Sequence, residues 1–148
     1  MNGIKIYTIG FTKTSAEEFF GKLIKAGVRK IVDARLNNSS QLAGFAKKND
    51  LKYFLQAIGN IDYIHISLLA PTEEILAEYK NKKGDWHTYE KKFLALMEER
   101  WIENVVSPDE LDRACLLCSE HLPKHCHRRL VAEYLKNKWG NVEIEHLV

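Results

Sequence analysis

Cys115-Leu-Leu-Cys-Ser-Glu-His-Leu-Pro-Lys-His-Cys-His-Arg-Arg129 reads as an apolar strand, a polar loop and the first turn of a helix. A strand feeding directly into a helix is the unit from which parallel sheets are built, because parallel neighbours need a long crossover between them. The helix start carries Cys126, His127, Arg128 and Arg129. Unpaired amide donors and the macrodipole make helix starts attractive to anions. A thiol, an imidazole and two guanidinium groups at that place suit a negatively charged ligand.

Working outward, the same alternation covers the chain. Ile4–Ile9 is a short apolar run closed by Gly10, and Ser15-Ala-Glu-Glu18 offers a capping box before Phe19, Phe20, Leu23 and Ile24 at helical spacing. Gly27 ends that helix, and Val28–Val32 forms a second strand running into Asp33, Ala34 and Arg35. After the polar loop Leu36–Gln41, the residues Leu51, Phe54, Leu55 and Ile58 share a helical face, and Tyr63–Ile66 reads as a third strand. Thr72 caps a further helix, and a longer one is predicted over Trp86–Ile102. Ser107-Pro-Asp-Glu110 is another capping signature. Ala114–Cys118 is the fourth strand, a helix burying Leu130, Val131, Tyr134 and Leu135 follows, and Val142–Leu147 is the last strand.

This pattern predicts one three-layer α/β domain spanning residues 1–148, Rossmann-like, with a mainly parallel sheet of about five strands and helices on both faces. Ligands in such sheets bind beyond the carboxyl ends of the strands. The chemically versatile residues fall at those ends: Gly10 after the first strand, Asp33 and Arg35 after the second, His65 closing the third, Glu120 after the fourth. Loops distant in sequence are therefore expected to converge on one edge.

Composition narrows the field. Hydrophobic residues at 45% and charged residues at 28% are those of an ordinary globular domain, and a net charge of +2 argues against a surface coated for nucleic acid. No apolar run approaches the roughly 18 residues of a membrane span, so no membrane association is expected. The chain enters a strand almost at once, leaving no room for a signal peptide, and three cysteines cannot all pair; a reducing cytoplasm is the expected home.

Each candidate also has a plainer reading. Cys126 is either a nucleophile or anion-sensing thiol, favoured by the helix start and nearby cations, or a small residue packing helix on sheet. The arginine that closes the anion loop of tyrosine phosphatases, six residues past the cysteine, is replaced by Ala132; the rhodanese position is Val131. Both signatures fail. Cys115 and Cys118, three apart on a strand, point to opposite faces and read as core. Cys118, His121, Cys126 and His127 lie in a loop short enough to fold around zinc, but the ligand pairs two to four residues apart are incomplete, so no metal is assigned. Asp33 and Arg35, two apart, share a face and supply a base and an anion clamp, or pair with each other. His65 and Glu120 are candidate proton carriers, with Glu120 also placed to orient His127 or Arg128. Of the adjacent arginines only one can face the pocket, and Arg128 is the expected one; its fork suits phosphate or carboxylate.

Tyr7-Thr-Ile-Gly10, Val32-Asp-Ala-Arg35, Tyr63-Ile-His65, Leu117-Cys-Ser-Glu120 and Cys126-His-Arg128, in this order and spacing, resemble the family catalogued as domain of unknown function 488 across essentially the whole chain. The resemblance implies a compact three-layer α/β domain and names no reaction or cofactor. Many members are similar except for a His-Ser pair where Phe11-Thr12 stands here, a valine at Ala34, and a proline-containing stretch where this chain reads Leu36-Asn-Asn-Ser-Ser40. Three functional readings follow. The first is an enzyme or binder of a phosphate-bearing or otherwise anionic small molecule, a nucleotide among them, with Asp33, His65, Glu120, Cys126 and His127 catalytic and Gly10, Arg35 and Arg128 binding. The second is a nucleic-acid-binding module. The third is a metal-supported or protein-interaction domain without catalysis. The sequence does not set the oligomeric state.

Overall fold

The aliphatic runs pair into one sheet in the computed structural model, which describes residues 3–36, 48–81, 85–119 and 125–148. The strands are β1 (Ile4–Gly10), β2 (Lys30–Asp33), β3 (Asp62–His65), β4 (Ala114–Cys118) and β5 (Val142–Leu147). They are ordered β3-β2-β4-β1-β5, and every adjacent pair is parallel. The expected mainly parallel sheet is thus wholly parallel. β4 is buried at all five positions, as a strand covered on both faces must be.

Helices α1 (Ala16–Ala26) and α2 (Lys48–Gly59) cover one face. Phe19, Phe20, Leu23, Leu51 and Leu55 pack there on Tyr7, Ile9, Ile31, Cys115 and Leu117. The other face meets α4 (Trp86–Arg100), α5 (Ile102–Val105), α6 (Pro108–Leu111) and α7 (His127–Trp139). Phe93, Met97, Ile102, Leu111, Leu130, Val131 and Leu135 pack there on Ile6, Val32, Ala34, Ala114 and Leu116. Residues of one strand alternate between the two cores, as the period-two pleat requires. Helix α3 (Glu73–Asn81) packs beside α4 through Tyr79, whose ring meets Trp86 and Tyr89.

The helix starts follow their capping residues. Ser15 Oγ accepts from the Glu18 amide, Thr72 Oγ1 accepts from the Ile75 amide, and Ser107 with Glu110 closes a reciprocal capping box. Gly27 ends α1 at φ 77°, a conformation that costs glycine little. One expectation fails: the helix predicted over Trp86–Ile102 stops at Arg100. Trp101 takes a left-handed conformation at φ 53° with its side chain exposed, and Ile102 restarts as α5 fully buried. A straight continuation would not have turned Ile102 inward, and its burial outweighs the modest conformational penalty at Trp101. No described helix is long and apolar enough to cross a membrane.

Candidate functional site

The strand order makes the β1–β4 pair a topological switch point. From β1 the chain leaves through α1 on one face toward β2; from β4 it leaves through α7 on the other face toward β5. Adjacent strands whose connections depart in opposite directions open a gap at their carboxyl ends, where open α/β sheets bind ligands. Gly10 and Cys118 are register partners at that gap, and Asp33 pairs in register with both His65 and Leu117. The carboxyl ends of four strands therefore lie in one row.

On the α1–α2 side, Asp33 and Arg35 form a buried bidentate pair. Arg35 Nε donates to Asp33 Oδ1 at 2.8 Å and Nη2 donates to Oδ2 at 2.7 Å, with the Arg35 amide adding a third bond at 3.1 Å. The side chains are 3% and 0% exposed. Tyr63 Oη donates to Asp33 Oδ2 at 2.5 Å, and the guanidinium lies over the Phe11 ring at 5.2 Å. Both carboxylate oxygens are engaged, so Asp33 is built to hold Arg35. The third guanidinium nitrogen, Arg35 Nη1, is buried without a hydrogen-bond partner among the described residues. His65 completes this half: its Nε2 bonds the Arg35 carbonyl at 2.6 Å. A carbonyl only accepts, so Nε2 carries the proton and Nδ1 the lone pair.

On the α7 side, Arg128 is wholly buried. Its Nε donates to Thr8 Oγ1 at 3.3 Å and its Nη1 to Cys118 Sγ at 3.2 Å. Thr8 Oγ1 in turn lies 2.6 Å from Nδ1 of His146, its register partner on β5. The Thr8 hydroxyl accepts from Arg128 and shares a second hydrogen bond with the His146 ring. Burial, with the Arg128 charge beside it, holds His146 below the usual histidine range. Arg129 instead pairs with Glu133 one turn along α7, and Arg128 is the arginine that turns inward.

Cys126 is the N-cap of α7 and is 2% exposed. Its sulfur is joined to that of Cys118, with the two Cα atoms 7.5 Å apart. The reading of Cys118 as plain core is thereby corrected: it is buried, yet its sulfur faces Cys126 and Arg128. Cys115 does belong to the core of the opposite face, where burial pushes its thiol well up and makes it inert. The rings on either side of Cys126 fix the helix start against α4. His125 stacks on Trp86 at 4.8 Å and His127 meets Phe93 edge-on at 5.7 Å. His127 Nε2 bonds the Ala34 carbonyl at 2.7 Å, tying the two halves together across the end of β2.

Asp33, Arg35 and His65 are thus brought together on one side and Cys126, His127 and Arg128 on the other, with Gly10 at the switch point. Glu120 lies outside the described residues. Thr8, Phe11, Tyr63 and His146 are further members to which sequence reading gave no role, and Cys118, read there as core, joins them. Tyr63 was within reach of pattern, since it shares a strand face with His65; Thr8 and His146 become partners only through strand register.

No curated protein and no solved structure matches the chain significantly. The family described as Domain of unknown function DUF488 matches over residues 15–135, a span that holds Asp33, Arg35, His65, Cys118, Cys126, His127 and Arg128. By that match, covering most of its length and every strand but the first and last, the chain belongs to the DUF488 family.

Proposed function

We propose that the carboxyl edge of the sheet binds a phosphate-bearing or otherwise anionic small molecule, with nucleotides in the candidate set, and that Arg35 is its clamp. The observation that carries this reading is Arg35 Nη1, a buried charged donor with no acceptor among the described residues while Nε and Nη2 are held by Asp33. An unmet donor of that kind costs about 1–3 kcal/mol, which a ligand oxygen would recover. Two nitrogens pinned by a carboxylate also leave the third pre-oriented, so little side-chain freedom is lost on binding. His65, with its lone pair on Nδ1, is the group to take a proton from a ligand held there.

The test is thermal stabilisation and calorimetric titration with inorganic phosphate, sulfate, mononucleotides and a short DNA duplex. At a hundredfold excess over Kd, a ligand specific for the folded state adds about 2.7 kcal/mol, a rise of several degrees in Tm. Arg35→Lys keeps a cation beside Asp33 but lacks the forked donors, and is expected to weaken binding at least tenfold. Unchanged affinity in that variant, or no stabilisation of wild type by any member of the set, overturns the proposal. Stabilisation by the duplex alone, falling steeply with salt, would point to nucleic acid instead.

A further inference from the structure

We propose that Cys118 and Cys126, once a small-molecule thiol has reduced the bond between their sulfurs to two thiols and is itself oxidised to its disulfide, join His127 as ligands of a divalent transition-metal ion, Zn²⁺ being the one their chemistry suits. The ligand atoms of these three residues all lie within 4.8 Å of one another, on elements held from three sides. Cys118 ends β4, Cys126 caps α7, and His127 opens α7 while its ring rests on Phe93. Two thiolates and an imidazole form a donor set for zinc, and three protein donors are the usual number where the fourth position goes to water or substrate.

Three further features favour an ion over a simple sulfur–sulfur bond. The Cα atoms of Cys118 and Cys126 stand 7.5 Å apart, beyond the roughly 4.4–6.8 Å that disulfides usually span. An ion placed between the sulfurs suits that wider spacing. Arg128 Nη1 donates to Cys118 Sγ at 3.2 Å, and a guanidinium donor on sulfur favours the thiolate, the form that ligates metal. The Ala34 carbonyl accepts from His127 Nε2, which puts the imidazole lone pair on Nδ1; a backbone carbonyl in this role is the usual outer partner of a ligating histidine. Cys115, on the opposite face of β4, takes no part.

The ion also gives the first half of the edge a neighbour, because His127 bridges to Ala34 between Asp33 and Arg35. The metal reading nevertheless stands apart from anion binding at Arg35, and either can fail alone.

The experiment is titration of reduced, metal-stripped protein with Co²⁺ and then Zn²⁺ under anaerobic conditions. One equivalent of Co²⁺ per chain is expected, with a near-ultraviolet sulfur-to-cobalt charge-transfer band that an equivalent of Zn²⁺ abolishes. Cys118→Ser and Cys126→Ser should each lower affinity by a hundredfold or more, His127→Ala by at least tenfold, and Cys115→Ala by less than twofold. Wild-type protein alone decides the matter should a variant not fold. No charge-transfer band in reduced wild type overturns the proposal. So does protein treated anaerobically with the small-molecule thiol and then freed of it that shows one titratable thiol per chain after denaturation in chelator, since that count means a standing disulfide.

Discussion

Arg35 and Arg128 are both buried, at 3% and 0% exposure, but are anchored by different means. Arg35 meets its counter-charge two residues back, at the end of β2, in a bidentate pair reinforced by Tyr63. Arg128 reaches across the domain to a hydroxyl on β1 and a sulfur on β4, and the hydroxyl leads on to His146. The first arrangement is a local clasp between a carboxylate and a guanidinium two residues apart. The second runs through a sulfur and an imidazole, and the imidazole makes it answer to pH. One half of the edge is fixed; the other is conditional.

Breaking the clasp should have the largest effect. Asp33→Ala leaves a buried guanidinium without its counter-charge, which typically costs about 3–5 kcal/mol; for a chain of this size that is on the order of 10 °C in Tm. A loss below about 1 kcal/mol in urea denaturation would mean that the pair is not buried as described. Tyr63→Phe removes a hydrogen bond to a charged group and is expected to cost about 1.5–3 kcal/mol. Because Tyr63 acts through Asp33, the double variant with Asp33→Ala should lose less than the sum of the two.

Probing the conditional half should give a smaller loss. Thr8→Val keeps the shape but removes the hydroxyl between Arg128 and His146, at about 1–2 kcal/mol. A double-mutant cycle with His146→Phe is expected to give a coupling of about 0.5 kcal/mol or more, and strict additivity would sever Thr8 from His146. The smallest effect is in pH. His146 has its folded pKa below 6.5, so in mild acid the unfolded chain binds a proton that the folded chain refuses. This contribution is complete above the unfolded value and is lost as pH falls from about 6.5 through the folded pKa. Stability should therefore drop more steeply over that window in wild type than in His146→Phe, whereas Tyr63→Phe should leave the slope unaltered.

The same contrast explains what was legible in the chain. Asp33 ends β2 and Arg35 follows two residues on, so a shared face was expected from extended-chain alternation, though not whether they would serve each other or a ligand. Arg128 rather than Arg129 turns inward because neighbours on a helix diverge, and that too is local. Cys118 was misread because strand alternation separates it from Cys115 and says nothing about Cys126 across the following loop. Trp101 gave no warning of a break: tryptophan carries no signal for left-handed backbone, and only the pull of Ile102 into the core puts it there.

By itself, the order of residues determined the strand and helix segments, the capped starts at Ser15, Thr72 and Ser107, and the clustering of chemistry at strand ends. All of these rest on interactions within a few residues. The strand order, the switch point at the β1–β4 pair, the Thr8–His146 partnership and the meeting of Cys118 with Cys126 and His127 were decided only by tertiary structure. Strand order and register follow from burying both faces of the whole sheet at once, a balance summed over contacts that no local window of sequence contains.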